Sequence, residues 1–210
     1  MEKFTVLTGV AAPMLMTNIN TDLIAPSLMP GRTPEEAATL PLQAKLFANL
    51  RYDKDGVPRP DFVLDQPRYR EAGILLAGPN FGCGSSRETA VWSLMEAGVS
   101  CVIAPSFGDI FHDNAFQNGL LPIRLEMAEI ERIASALARS NASTMTVDLE
   151  RCVIEVPGLA PIGFTIADDR RLPLLEGLDQ LGFMLRSVAE IDEFETRDTA
   201  VRPWAYGSAS

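Results

Sequence analysis

The sequence predicts an α/β protein whose centre alternates buried strands with helices and whose two ends add further strands. Two observations support this class. Short apolar runs bounded by glycine or polar residues are typical of buried strands, and longer segments with apolar residues three and four positions apart are typical of amphipathic helices. Segments of these two kinds alternate along the middle of the chain.

The predicted elements can be placed in chain order. A short helix is expected at residues 40–50, strands at 73–78, 99–107 and 119–125, helices at 85–98 and 129–139, a pair of strands at 144–156 and a helix at 172–185. These elements give a single domain over residues 1–195. Three prolines and a glycine within residues 25–36 indicate a loop, and we expect residues 27–40 to be flexible. Residues 196–210 are expected to form a loose tail.

The composition excludes several classes of protein. The chain has 210 residues, of which 47% are hydrophobic and 22% charged, which is ordinary for a globular domain. A formal net charge of −10 without a basic patch argues against nucleic acid as a partner. The longest uncharged run, residues 4–21, is too polar to span a membrane and lacks the pattern of a secretion signal. We therefore expect neither a nucleic-acid nor a membrane partner, and a cytoplasmic location.

The cysteines and the histidine limit the possible metal chemistry. Cys83, Cys101 and Cys152 are odd in number and widely spaced, so no disulfide framework or metal-binding pair is predicted, and free thiols fit a reducing compartment. His112 is the only histidine. We expect no cofactor-binding or metal-binding residue on this chain, so that any metal chemistry would need a metal held by another chain.

The most informative stretch is GPNFGCGSSRETA at residues 78–90. Three glycines among its first seven residues let the backbone approach a small ligand closely. The stretch leads into a predicted helix, whose free N–H groups and partial positive charge attract a carboxylate or a phosphate. Ser85, Ser86 and Arg87 stand at that helix start, and an arginine can bind a carboxylate through two parallel hydrogen bonds. The stretch therefore predicts an anion-binding loop that carries hydroxyl groups.

A purely structural interpretation of the same stretch stays open. Ser85 and Glu88 have the spacing of a capping box, in which Ser85 would be the N-cap of the helix. That interpretation accounts for neither the glycines nor Arg87, and we give the two interpretations even weight. The P-loop pattern is absent, and the dinucleotide pattern GxGxxG is broken by Arg87.

Two further segments contain clustered polar side chains. Residues 18–22, NINTD, suit an Asx turn, which we favour, although Asp22 could also hold an arginine or a water. Residues 104–123 follow a predicted strand, at a position where α/β proteins often bind ligands. The polar residues there are Ser106, Asp109, His112, Asp113 and Asn114. Ile110, Phe111 and Phe116 are expected in the core, and a structural or partner-contact role is favoured for His112.

Cys83 lies inside the glycine-rich stretch, where a helix start would lower the pKa of its thiol. A nucleophilic cysteine usually needs a histidine as its base, and His112 is the one candidate. A small residue that is tolerated beside a ligand is the simpler interpretation of Cys83.

Taken together, these segments resemble the small-subunit family of isopropylmalate dehydratases in the aconitase superfamily. The resemblance extends from about residue 4 to about residue 185 and is carried by NINTDLIAP, KLFANLRY, PDFVLDQPRY, ILLAGPNFGCGSSRETA, VIAPSFGDIFHDNAFQNGLLPI and LLEGLDQLG. It implies a swivelling β/β/α domain that docks onto a large subunit, and that partner would bind a 4Fe–4S cluster. The implied reaction is the hydro-lyase isomerisation of 2-isopropylmalate to 3-isopropylmalate in leucine biosynthesis, with activity only in the complex.

The resemblance also implies roles for individual residues. Ser85 matches the family's serine base, and Arg87 matches the arginine that binds a carboxylate of the small dicarboxylate substrate. The implied substrate-binding residues are Ser86, Asn20, Thr21 and Asp22.

Three departures from the family pattern leave other functions open. The family usually has aspartate at the position of Asn20 and histidine at the position of Thr89, and its aromatic-glycine segment is replaced around residues 38–44. A paralogous dehydratase subunit for another malate, such as methylmalate or dimethylmalate, is one alternative. A non-catalytic anion-binding module is a second alternative, and an assembly-only subunit is a third.

Overall fold

The computed structural model describes residues 1–140 and 143–206. The strands are β1 (Val6–Met14), β2 (Ala72–Ala77), β3 (Cys101–Ala104), β4 (Leu121–Arg124), β5 (Thr144–Asp148), β6 (Val153–Glu155) and β7 (Ile162–Gly163). They form a seven-stranded sheet in the order β4-β3-β2-β1-β5-β6-β7. The pairs among β1 to β4 are parallel, and β1 pairs with β5 in antiparallel fashion, as do β5 with β6 and β6 with β7. The predicted α/β class with additional strands at both ends is confirmed.

Ten α-helices are seen in the described residues. They are α1 (Thr21–Ile24), α2 (Pro34–Ala38), α3 (Leu42–Lys45), α4 (Ala48–Arg51), α5 (Glu88–Glu96), α6 (Asp109–Asn118), α7 (Met127–Arg139), α8 (Asp168–Glu176), α9 (Gln180–Met184) and α10 (Val188–Val201). Short 3-10 turns occupy Val63–Asp65, Leu185–Ser187 and Pro203–Ala205. None of the helices in the described part of the chain is both long and apolar enough to cross a membrane.

Two apolar cores lie on opposite faces of the sheet. Successive side chains of a strand point to opposite faces, so Leu75 of β2 joins one core and Ile74 and Leu76 join the other. Helix α5 packs on the first face through Leu94, and α7 packs on the second through Ile133. Each such buried aliphatic side chain contributes about 1.5–3 kcal/mol to folding. Helices thereby cover the first face, while α7 and the curled strands β5 to β7 enclose the second core.

Helix boundaries differ from the prediction at several places, and α6 was not predicted. The helix expected over residues 40–50 is two short helices, α3 and α4, because Phe47 adopts φ 54° and is fully buried. The helix expected over residues 172–185 is interrupted at Gly177, which has φ 70° and ends α8. Helix α5 begins at Glu88 rather than at residue 85. Burial of Phe47 thus overrides local helical preference, while Gly177 is a usual helix stop.

The predicted loop at residues 27–40 and the predicted tail at residues 196–210 both contain helical residues. Within residues 27–40, α2 is capped by Thr33 and Glu36, whose side chains bond each other's backbone N–H groups. Residues 196–201, which were assigned to the tail, form the end of α10. The last residues of the proposed tail, 207–210, lie outside the described residues.

A close backbone approach at Gly78 sets the position of the chain after β2. A Cβ atom at Gly78 would lie 2.3 Å from the carbonyl oxygen of Met16, which follows β1. We expect Gly78→Ala to destabilise the fold by about 2–4 kcal/mol, because the two segments would have to separate. Urea unfolding measures this loss. Gly163→Ala is the matched control, since nothing lies within 4 Å of its added Cβ. Equal unfolding midpoints for the two variants would contradict the close approach.

Candidate functional site

The three polar segments singled out in the sequence meet at one edge of the sheet. Residues 18–22 follow β1, residues 78–87 follow β2 and residues 105–108 follow β3. Because these strands are parallel neighbours, their carboxyl ends lie at the same edge, which is where open α/β sheets bind ligands. Isolated bridges pair Asn20 with Cys83 and Phe81 with Phe107. The three segments, which the sequence offers as separate candidates, therefore form one site.

Backbone hydrogen bonds join the first two segments into a clamp. The N–H of Gly82 donates to the carbonyl of Ile19 at 2.7 Å, and the N–H of Thr21 donates to the carbonyl of Cys83 at 2.9 Å. Gly82 has φ 72°, and an added Cβ there would lie 2.2 Å from the ring of Phe111. Only glycine fits a position that combines positive φ with such close packing.

An aromatic cluster supports the clamp from below. The ring centroid of Phe81 lies 5.3 Å from that of Phe111 and 6.3 Å from that of Phe107, and both pairs meet edge to face. All three side chains are buried. Edge-to-face pairs of this kind stabilise beyond the area they bury. The polar loops thus rest on a rigid apolar base.

The predicted core positions of Phe111 and Phe116 are confirmed, since both side chains are buried. The predicted core position of Ile110 is wrong, because its side chain is 51% exposed at the start of α6.

Arg87 connects its own loop to the segment after β1 through its guanidinium group. Nε donates to Oγ of Ser85 at 3.1 Å, and Nη1 donates to Oγ of Ser27 at 2.9 Å. Nη2 lies 2.7 Å from Oδ1 of Asp22. The side chains of Arg87 and Asp22 are 32% and 55% exposed, so this ion pair contributes little to stability. A carboxylate that arrives from solvent can therefore replace or join Asp22 at small cost.

Ser85 is exposed and is held from two sides. Besides Arg87, it contacts Thr21, whose hydroxyl donates to the Ser85 carbonyl at 2.9 Å. Thr21 Oγ1 also lies 3.3 Å from Ser85 Oγ. Because the Thr21 proton is used on the carbonyl, Thr21 Oγ1 is left as an acceptor for the Ser85 hydroxyl. The next residue, Ser86, is also exposed.

The capping-box interpretation of Ser85 is wrong. The N-cap of α5 is Arg87, and no side chain caps this helix. The Glu88 carboxylate instead accepts a hydrogen bond from Nδ2 of Asn118 at 3.0 Å. A role in helix capping therefore does not explain why Ser85 is present.

Asn20 forms a helix N-cap in place of the predicted Asx turn. Its Oδ1 accepts the N–H of Leu23 at 2.8 Å and so caps α1. The alternative interpretation of Asp22 as the partner of an arginine holds, through Arg87. The cap at Asn20 and the ion pair of Asp22 thus both lie at the start of α1.

His112 lies at the side of the site and is packed between aromatic rings. Its ring centroid is 5.6 Å from that of Phe107 and 5.0 Å from that of Phe116. Burial lowers the pKa of His112, the positive charge of Arg124 lowers it further, and the charge of Asp113 opposes these effects. A neutral imidazole packed between rings agrees with the structural role favoured from the sequence.

Sequence reasoning missed Ser27 and did not assign a partner to Ser106. Ser27 binds Arg87, and the Ser106 hydroxyl accepts the N–H of Asn80 at 2.9 Å. Ser106 was noted as one of several polar residues, but nothing in the sequence pairs it with Asn80. Ser27 lies in a proline-rich loop, and the sequence contains no signal that aims it at Arg87.

The described residues do not fit an iron–sulfur cluster. Within residues 1–140 and 143–206, no three His, Cys, Asp or Glu side chains are grouped as metal ligands. Cys101 is fully buried in β3, where burial raises the pKa of its thiol, and Cys152 contacts the carbonyl of Leu149. Of the three cysteines, only Cys83 lies in the site, and one thiol cannot hold a cluster.

The geometry defines a class of protein: an α/β domain that presents a hydroxyl and a guanidinium at the carboxyl edge of parallel strands. The sequence model of the protein family described as the aconitase C-terminal domain matches residues 1–128. A relative from Dinoroseobacter shibae, named 3-isopropylmalate dehydratase small subunit, is 48% identical over 97% of this chain and all of its own length. A relative of the same name from Rhodospirillum centenum is 49% identical over 99% of this chain and all of its own length.

The fold is similar to that of a solved structure. The crystal structure of a 3-isopropylmalate dehydratase from Methanocaldococcus jannaschii superposes with a TM-score of 0.59 at 23% identity, covering 90% of this chain and 98% of that one. The chain therefore belongs to the family of 3-isopropylmalate dehydratase small subunits, within the proteins that contain the aconitase C-terminal domain. Its fold is the swivelling β/β/α type that the resemblance implied.

The lowered pKa of His112 predicts a pH dependence of stability. The unfolded chain takes up a proton on this residue near its ordinary value of 6.5, while the folded chain resists protonation to lower pH. The free energy of unfolding should therefore fall as the pH drops below about 6.5. We expect His112→Gln to lose less stability than the unsubstituted chain between about pH 7.5 and pH 5.5, as measured by urea unfolding. Parallel losses in both proteins would show that His112 is not responsible.

Proposed function

We propose that this chain is the small subunit of a hydro-lyase that converts 2-isopropylmalate to 3-isopropylmalate by dehydration and rehydration in leucine biosynthesis. The observation that carries the proposal is the pairing of an exposed Ser85 hydroxyl with the Arg87 guanidinium, in a chain similar over its length to proteins of that name. The three free cysteines favour a reducing compartment, and we propose the cytoplasm.

We assign Ser85 the role of general base. Its Oγ, as the alkoxide, takes the proton from the carbon beside a substrate carboxylate, and the hydroxyl on the neighbouring carbon leaves as hydroxide, which yields an alkene. The hydroxide takes its second proton from solvent to become water. Rehydration reverses these transfers, with the hydroxyl placed on the other carbon. A serine hydroxyl is a poor base, so its anion must be stabilised. The Arg87 Nε–H, which already donates to this oxygen at 3.1 Å, supplies that stabilisation.

Arg87 also binds one carboxylate of the dicarboxylate substrate. Its Nη2 contacts the exposed Asp22, and the incoming carboxylate takes over or shares this position. Two nitrogen donors of a guanidinium match two carboxylate oxygens, which fixes the orientation of the substrate beside Ser85. The same side chain thus serves both the base and the substrate.

The other proposed residues act at different distances from the substrate. Ser86 is exposed and can donate a hydrogen bond directly. Asn20 uses its side-chain oxygen as a cap, so its amide N–H groups can face the ligand. Thr21 is 2% exposed and bonds Ser85, and we therefore assign it a positioning role in place of the direct substrate contact that the resemblance implied.

We propose that a large subunit holds the 4Fe–4S cluster and completes the site. The cysteines described above do not fit a cluster on this chain. When bound, an iron of such a cluster supplies Lewis acidity to the leaving hydroxyl. The small subunit supplies the base, the carboxylate-binding guanidinium and the rigid edge that orients them. The chain alone is therefore inactive, and the complex is active.

Ser85→Ala should reduce turnover by the assembled complex at least a thousandfold, because no other hydroxyl replaces Oγ as the base. The measurement is the rate of alkene formation from 2-isopropylmalate, with complex formation checked by size-exclusion chromatography. Thr165→Ala, at an exposed hydroxyl between β7 and α8, is the control and should match the unsubstituted rate. A Ser85→Ala complex with normal turnover would remove the proposed base.

Arg87→Lys should raise KM for the dicarboxylate at least tenfold and also lower kcat. A lysine ammonium retains the charge but loses the planar fork, and it cannot reach Ser85 Oγ and the substrate at the same time. Steady-state kinetics of the complex measure both constants. Unchanged KM and kcat would contradict both roles assigned to Arg87.

The alternatives are separated by the choice of ligand. Dehydration of methylmalate or dimethylmalate at a higher kcat/KM than isopropylmalate would identify another malate as the substrate. Tight binding of a small dicarboxylate to the isolated chain, measured by calorimetry and without turnover in any complex, would identify an anion-binding module. An intact complex that neither turns over these malates nor binds them would identify an assembly-only subunit.

A further inference from the structure

The C-terminal segment of the described chain has an unusual apolar surface. Six large apolar side chains between α9 and the middle of α10 are 41% to 63% exposed. We call them the C-terminal ridge: Leu181, Met184, Leu185, Val188, Ile191 and Phe194. Their spacing of three, one, three, three and three residues matches neighbouring positions on a helix, so they form one row that crosses the segment obliquely. Scattered apolar residues are normal at a protein surface, whereas a contiguous row marks an interaction site.

Helix α10 lacks the support that a surface helix normally receives. It has 14 residues, and none of them is buried. A helix of this length is only marginally stable in water without packing of an apolar face. Covering the ridge with another surface would therefore stabilise α10.

The ridge begins beside the candidate functional site. Leu181 and Met184 line a groove whose other wall includes Glu88 and Asn118. Glu88 is the first residue of α5 and follows Arg87 directly in the chain. A partner that reaches over Arg87 to complete the site is thus continuous with the start of the ridge.

The charges around the ridge indicate what kind of partner covers it. Glu190, Asp192, Glu193 and Glu195 are exposed and interspersed with the second half of the ridge. Two copies of this acidic segment would repel each other, and the whole chain has a net charge of −10. The complementary surface is an apolar groove bordered by lysine or arginine.

We propose that the C-terminal ridge is a docking surface for the large dehydratase subunit. The ridge adjoins the catalytic edge but contains none of its residues. This proposal rests on the proposed function, which requires a large subunit over the Arg87 edge. The ridge would occupy an apolar groove with a basic border on that subunit. It would thereby anchor the domain without contacting the substrate.

The direct test is the affinity of the full chain for its cognate large subunit. We expect the double variant Ile191→Ser, Phe194→Ser to weaken Kd at least tenfold, because two central ridge side chains are removed. Val57→Ser is the matched control, since Val57 is similarly exposed on a distant loop, and its Kd should change less than twofold. Equal Kd values for the unsubstituted chain, the double variant and the control would overturn the proposal.

A second measurement needs no substitution. Amide hydrogen exchange of residues 188–201 should slow at least tenfold when the large subunit is added, because α10 gains a packed face. Unchanged exchange in a formed complex would also overturn the proposal. If the chain alone forms a dimer that the double variant disrupts while Kd for the large subunit is unchanged, a second copy occupies the ridge and the proposal fails.

The outcomes for docking and for catalysis can be told apart. At saturating large subunit, the double variant should keep kcat within twofold of the unsubstituted chain, since no ridge residue belongs to the proposed catalytic set. A complex that forms through the ridge but turns over no malate would count against the proposed function and leave the docking surface standing. An active complex with an unchanged Kd in the double variant would support the proposed function and overturn the docking surface.

Discussion

The structure depends on the backbone clamp between the chain after β1 and the chain after β2. Two hydrogen bonds, from Gly82 to Ile19 and from Thr21 to Cys83, hold the loops together, and the Phe111 ring leaves no room for a side chain at position 82. The side chains that contact Ser85 and Arg87 lie on these two stretches of chain. The site is therefore preorganised by backbone geometry and aromatic packing more than by the exposed ion pair, whose strength in water is small.

Most of the architecture could be predicted because it follows from local pattern. Short apolar runs predicted β2, β3 and β4, and the regular spacing of Ile130, Ile133 and Leu137 predicted α7. The three polar segments could be recognised as candidate sites, since polar residues after buried strands of a parallel sheet gather at one edge. The resemblance to a known family then indicated which of these residues belong together.

The remaining features could not be predicted because they arise from tertiary contacts. Phe47 breaks a helix to reach the core, and nothing in its immediate neighbours indicates a positive φ. The spacing of Ser85 and Glu88 matched a capping box, yet Glu88 bonds Asn118, which lies 30 residues away. Ile110 has an apolar side chain in an apolar context but faces outward at the start of α6. Pattern alone does not specify which partner across the fold a side chain will meet.

The Arg87 contacts with Ser27, Asp22 and Ser85 have a mechanical consequence. Asp22 and Ser27 belong to the segment after β1, whereas Ser85 and Arg87 belong to the segment after β2, so the guanidinium joins two stretches of chain. A carboxylate that displaced Asp22 would leave Ser27 to hold the guanidinium to the first stretch, so that occupancy of the site and the spacing of the two stretches would change together.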